Sequence, residues 1–147
     1  MPTLTEAAAL AAADQGLAVV STLRADATIQ SSLINAGVLP HPGTGAPVLA
    51  FVTYGPVKLA NLRERPQIAV TFRSGWQWAT VEGRAVLAGP ADPQPWLTDP
   101  DRLRVLLRDI FAAAGGTHDD WDTYDRVMRE QGRTAVLIDP VRVYSNG

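Results

Sequence analysis

The sequence predicts a mixed α+β chain, mainly β, whose six strands close into an antiparallel barrel. Six short runs of apolar or alternating residues, each bounded by Gly, Pro, Asn, Asp or Ser, recur at strand length. Helical signals are confined to the N-terminus, one segment after the third strand and one stretch before the last, so that after a first helix the order is βββαββ(αα)β. Neighbouring strands are mostly antiparallel, and closing such a sheet removes its exposed edges.

Each element has its own reason. Glu6 to Ala13 is almost all alanine, the strongest helix former, so Thr5 to Asp14 reads as a helix that Thr3 or Thr5 caps and Gly16 stops. Leu17 to Leu23 is a buried strand, Arg24 to Ala27 a turn, and Thr28 to Val38 the returning strand of a hairpin. After the turn-rich Pro40 to Gly45, the apolar run Pro47 to Thr53 is a central strand. Tyr54-Gly55-Pro56 breaks it, and Val57 to Glu64 is a short helix ended before Pro66. Ile68 to Arg73 and Trp76 to Leu87 are strands around Ser74-Gly75, the second bending at Gly83. A Pro- and Asp-rich linker, Gly89 to Pro100, leads to helices Asp101 to Ala114 and Asp119 to Gln131, parted by Gly115-Gly116, and Arg133 to Tyr144 is the last strand. With no internal repeat or composition shift, residues 1–147 read as one domain.

Composition narrows the function. The chain is 46% hydrophobic and 19% charged, with a net charge of -2, so it lacks the basic stripe of a nucleic-acid partner. Without cysteine there is no thiolate catalysis, Fe–S cluster or Cys-ligated zinc, and two histidines leave little for another metal site. The start has no signal-peptide pattern and no run approaches a membrane span, so the cytoplasm is the expected compartment.

Of thirteen basic side chains, Lys58 alone is lysine. It stands in the most informative segment, Thr53 to Pro66 (TYGPVKLANLRERP), where a buried strand empties into a helix. A helix N-terminus offers free N–H groups and partial positive charge, which suits phosphate. Lys58, Asn61 and Arg65 fall at i, i+3 and i+7 on one face, with Leu59 and Leu62 toward the core. The same spacing also describes an amphipathic surface helix with solvated charges.

This segment resembles the phosphate-binding helix of the pyridoxamine 5'-phosphate oxidase-like FMN-binding split β-barrel superfamily, in which strand, short loop, Lys and a following x-Pro recur. Gly75 to Ala85 (GWQWATVEGRA) resembles that superfamily's next strand pair. His118 to Tyr124 (HDDWDTY) and Leu137 to Tyr144 (LIDPVRVY) resemble its F420-dependent branch, the flavin/deazaflavin oxidoreductase-B group, so that the likeness covers about the whole chain in order. The resemblance implies a homodimeric, six-stranded antiparallel split β-barrel. It implies coenzyme F420 as cofactor, its ring near Ser31, Ser32, Val52 and Thr53, its phosphate at Lys58 and Asn61 with Arg65 on the same face, and Gln77 and Trp78 supplied by the second subunit. The implied activity is hydride transfer between reduced deazaflavin and a small electron-poor enone or quinone. Flavin-binding oxidases of the superfamily carry an Arg close before the helix lysine, whereas here the approach is Tyr54-Gly55-Pro56-Val57, which leaves FMN as the alternative. A non-catalytic module that stores or carries F420, flavin or a tetrapyrrole is the rival from another class.

The other notable residues read most simply as structure. Trp76 and Trp78 alternate on a strand and pack to one side. In HDDWDTYD, Thr117 caps a helix and Trp121 and Tyr124 enter the core. His41 is a solvated loop histidine, and Glu82 and Arg84 form an exposed charged pair. No nucleophile, base or paired carboxylate shows a catalytic spacing.

Overall fold

Strands β1 (Leu17–Leu23), β2 (Ile29–Pro40), β3 (Pro47–Thr53), β4 (Gln67–Ser74), β5 (Gln77–Ala88) and β6 (Thr134–Ser145) close into an antiparallel barrel in the order β1-β2-β3-β6-β5-β4. The computed structural model describes residues 1–97 and 99–147. Pairing of Val19 with Thr71 and of Thr22 with Ile68 joins β1 to β4 and closes the ring. Among the described residues four α-helices accompany it: α1 (Leu4–Ala9), α2 (Pro56–Glu64), α3 (Pro100–Ala113) and α4 (Trp121–Glu130). Among the described residues no helix is long and apolar enough to cross a membrane.

Alternation along the strands creates two cores. Inward residues such as Val20, Phe51, Val70, Phe72, Val81 and Ile138 are fully buried and fill the barrel together with Ala7 and Ala11. The outer faces of β3 and β6, through Ala50, Ala135 and Leu137, pack against Leu106, Leu107 and Ile110 of α3 and Tyr124 of α4. This second layer explains why β3 reads as a continuous apolar run: the helices cover the face that would otherwise meet water. The outer face of β1 and of the first half of β2 has no such cover among the described residues, and leaves Val19, Ile29 and Leu33 at 43%, 64% and 62% exposure.

Close backbone approaches are made at glycines. The bend expected at Gly83 is a register shift between Glu82↔Arg142 and Gly83↔Pro140, and a Cβ at Gly83 would stand 2.3 Å from the Asp139 carbonyl oxygen. At Gly37 a Cβ would meet the carbonyl carbon of Ala113 at 2.3 Å, so the end of α3 lies directly on the β2 backbone.

Four local expectations are corrected. The alanine-rich helix stops at Ala9 and resumes as a 3-10 turn over Ala12–Asp14, and left-handed Gln15 and Gly16 then turn the chain into β1. The β4–β5 turn is Gly75-Trp76 rather than Ser74-Gly75, with Gly75 at φ 60, so Trp76 leaves the sheet, is 95% exposed and does not alternate with Trp78. Asp120, not Thr117, caps α4, because its carboxylate accepts both the backbone N–H and the hydroxyl of Thr123. His41 is not a free loop side chain: its Nδ1 accepts the backbone N–H groups of Gly43 and Thr44, and its ring lies 4.7 Å from that of Trp96. The expected linker Gly89 to Pro100 carries no long element; Thr98 lies outside the described residues.

Candidate functional site

Helix α2 begins where the sequence placed it, because Pro56 suits the first helical position. Gly55 precedes it and brings no capping side chain, so the first-turn N–H groups lack a side-chain acceptor. The loop is held instead by Thr53, whose Oγ1 accepts the Gly55 N–H at 3.1 Å.

The helix buries its polar face, so the solvated-face reading is corrected: Lys58 is 8% and Asn61 6% exposed. The cause is the end of the barrel against which α2 packs. There β1 and β2 turn the polar side chains of Thr22, Gln30 and Ser32 inward and supply hydrogen-bond partners. Asn61 donates to the Thr22 hydroxyl at 3.0 Å, Thr22 donates to Gln30 at 3.2 Å, and Arg65 Nε donates to the Leu23 carbonyl at 3.0 Å. Asn61 and Arg65 thereby fasten α2 to β1. Leu59 and Leu62 join the barrel core as expected.

Lys58 is different in kind. Its ammonium donates to Ser32 Oγ at 2.7 Å, and no carboxylate among the described residues pairs with it. Burial pushes its pKa below the ordinary lysine value. A cation withdrawn from water and matched only by a neutral hydroxyl is a standing attraction for an anion. Gly55 lies against it: a Cβ built there would stand in ordinary contact, 3.4 Å from Lys58 Nζ.

The remaining expected residues are spread around this point. Ser31 faces outward on the uncovered wall and shares a 2.9 Å hydrogen bond with Ser21. Val52 is half-buried on the outer face of β3 and borders a cavity beneath α3 and α4. Gln77 and Trp78 start β5, which neighbours β4 and β6, whereas the partners of Lys58, Asn61 and Arg65 lie on β1 and β2. Trp78 packs edge-on to Tyr144 at 6.1 Å. The chain thus gathers Ser32, Thr53, Lys58, Asn61 and Arg65 around α2 and leaves Gln77 and Trp78 apart. Thr22, Gln30 and Gly55 belong to the cluster without having been singled out; the inward phase of Thr22 on an alternating strand was the available signal.

No protein-family model matches the chain. Among solved structures, a conserved hypothetical protein of Mycobacterium tuberculosis matches with a TM-score of 0.68 at 17% identity, over 99% of this chain and 84% of that one. A pyridoxamine 5'-phosphate oxidase-related, FMN binding protein of Nostoc punctiforme matches with a TM-score of 0.60 at 13% identity, over 99% and 85%. An F420 reductase matches with a TM-score of 0.61 at 15% identity, over 98% of both chains. The fold is that of the split barrels. At these identities the likeness is one of architecture, and the α2 cluster is described from this chain's own residues.

Proposed function

We propose that this chain is a cytoplasmic, homodimeric oxidoreductase of the F420-dependent branch of the pyridoxamine 5'-phosphate oxidase-like superfamily, formed as a single cofactor-binding domain. Its cofactor is coenzyme F420, with FMN as the alternative, and its substrate a small enone or quinone. The observation that carries this reading is Lys58, a buried cation without a counter-ion beside the uncapped start of α2. The split-barrel neighbours that include an F420 reductase and an FMN binding protein support it.

Lys58 and the first-turn N–H groups would hold the cofactor phosphate, with Gly55 leaving it room. Ser32, Thr53, Asn61 and Arg65 act from behind, fixing the lysine, the loop and the helix. Ser31 and Val52 would border the ring along the outer wall. When bound, the deazaflavin supplies the hydride, so that the protein's part is alignment and exclusion of water, and no catalytic triad is required. The uncovered apolar wall of β1 and β2 supports a second copy packed there, which would bring its own Gln77 and Trp78 to the ring.

Calorimetric titration of the cofactor-free protein tests the assignment: F420 should bind more tightly than FMN. Micromolar FMN affinity with no detectable F420 binding would reverse it. Oxidation of reduced F420 should accelerate with an enone or quinone; rates at background across a broad panel would favour a cofactor carrier.

A further inference from the structure

A cavity of about 480 Å³ lies between the β2–β3 wall and the α3–α4 pair, the size of a small-molecule site. Arg133 is the one formally charged side chain of its lining, and no Asp or Glu among the described residues borders it. We infer that this cavity is a site for an organic monocarboxylate, whose carboxylate pairs with the Arg133 guanidinium while its apolar body lies among Ile110, Phe111 and Val127.

The unpaired fork of Arg133 carries the inference. Its Nε donates to Gln131 Oε1 at 2.8 Å, and among the described residues its two terminal nitrogens have neither a hydrogen-bond nor a salt-bridge partner. The guanidinium is nonetheless held, stacked 4.2 Å over the Tyr54 ring. A guanidinium fixed in this way offers parallel donors to the two oxygens of a carboxylate and loses little freedom in forming the pair. One positive charge is matched by one negative charge, so a monoanion suits the lining better than a phosphate dianion does. Arg133 also borders a second cavity, of about 440 Å³, where Asp99, Asp101 and Asp125 balance the three arginines Arg104, Arg129 and Arg133. Of the two spaces it borders, only the one under the β2–β3 wall leaves its charge unbalanced.

The other polar groups of the lining divide into committed and free. The Asn35 amide donates to the Gln15 carbonyl at 2.9 Å, the Thr123 hydroxyl to Asp120 at 2.6 Å, and the Tyr124 hydroxyl to the Leu107 carbonyl at 2.9 Å. His118 Nδ1 accepts the backbone N–H of Asp120 at 3.0 Å, so the neutral ring keeps a free Nε2 donor. The Thr117 hydroxyl and the Gln15 side-chain amide are exposed and make no hydrogen bond to the described residues. A carboxylate accepts only, and its oxygens can take several such donors besides the guanidinium. A neutral apolar ligand would leave these donors and the charge unmatched, whereas a bare inorganic anion would leave the Ile110, Phe111 and Val127 surface uncovered.

That the substrate of the proposed oxidoreductase carries such a carboxylate rests on the ring position against Val52, which also lines this cavity; the binding itself needs no cofactor. 2-Naphthoate and its neutral counterpart 2-naphthamide are the probes. Calorimetry on the cofactor-free chain should show the acid binding roughly tenfold more tightly, and Arg133→Gln should lower it to the level of the amide while leaving the amide unchanged. Arg133→Lys, which keeps the charge and loses the fork, should fall between the two. In the wild type, 2-naphthoate should shift the amide resonances of Gly116, Thr117 and Val127, a readout that needs no variant. Inorganic phosphate, the probe for Lys58, should not displace it. Equal affinity for the two probes, an Arg133→Gln variant that binds the acid like the wild type, shifts confined to Gly89, Leu103 or other residues outside this cavity, displacement by phosphate, or no binding of 2-naphthoate would overturn the inference. Binding of 2-naphthoate with neither F420 nor FMN binding would keep this site and overturn the cofactor reading instead; F420 binding without 2-naphthoate binding would do the reverse.

Discussion

Lys58 Nζ and Ser32 Oγ lie 2.7 Å apart, an ammonium answered inside the fold by a neutral hydroxyl. The cluster therefore tolerates a cation that folding alone does not require. Lys58→Met, which keeps the apolar stem and removes the charge, should lower F420 affinity roughly ten- to a hundredfold, the worth of one charge-assisted hydrogen bond of about 1.5–3 kcal/mol. The melting temperature of the cofactor-free variant should stay level or rise, since an uncompensated buried charge is lost. Calorimetry with thermal melts checks both; a large drop in melting temperature would make Lys58 a structural residue.

The same burial sets a pH dependence. Between the lowered pKa of Lys58 and its ordinary 10.5, the unfolded chain holds the lysine proton and the folded, cofactor-free chain does not. The unfolded state then binds more protons, so the Lys58 contribution to stability rises with pH across that window. Affinity for a phosphate-bearing ligand falls across the same window, because the ammonium is being lost. Denaturation and titration series across the alkaline range below 10.5 should show both slopes in the wild type and flatten in Lys58→Met; identical slopes in the two proteins would contradict this assignment.

Gly55→Ala separates room from charge. At φ -65 and ψ 113 the position accepts any residue, and the added Cβ meets Lys58 Nζ at 3.4 Å and Thr53 Oγ1 at 3.5 Å in ordinary contact. The fold should hold while the methyl occupies the space beside the ammonium, and F420 affinity should drop roughly tenfold, or about 1.4 kcal/mol. Unchanged affinity would put the phosphate elsewhere.

Leu33 faces out from β2 opposite Val19 of β1, at the centre of the uncovered wall. Leu33→Glu should convert a dimer into a monomer in light scattering and weaken cofactor binding with it, since Gln77 and Trp78 would no longer arrive from a second copy. A stable wild-type monomer at micromolar concentration with cofactor bound would refute the dimeric site.

The succession of elements along the chain and the α2 boundary were legible because they depend on local chemistry: Pro56 starts a helix, Gly83 admits the bulge, and alternation marks the inward phase. What escaped was long-range. Asn61 meets Thr22 across 39 residues and Lys58 meets Ser32 across 26, and no periodicity tells which barrel end a helix will close. The Trp76 error has the smallest cause, a one-residue slip of the turn that carried the side chain off the sheet. His118 stood in a helix start and in a segment that resembles the F420-dependent branch; its partners on Phe111 and Asp120 depend on how α3 and α4 fold back together.

The contact of Gly37 with Ala113 makes α3 a fixed jaw. Main chain rests on main chain there, with no side chain between them to act as a spacer or hinge. The distance between the end of α3 and β2 is then set by van der Waals contact of main chains, and any side chain larger than hydrogen at residue 37 would have to push the helix off the barrel.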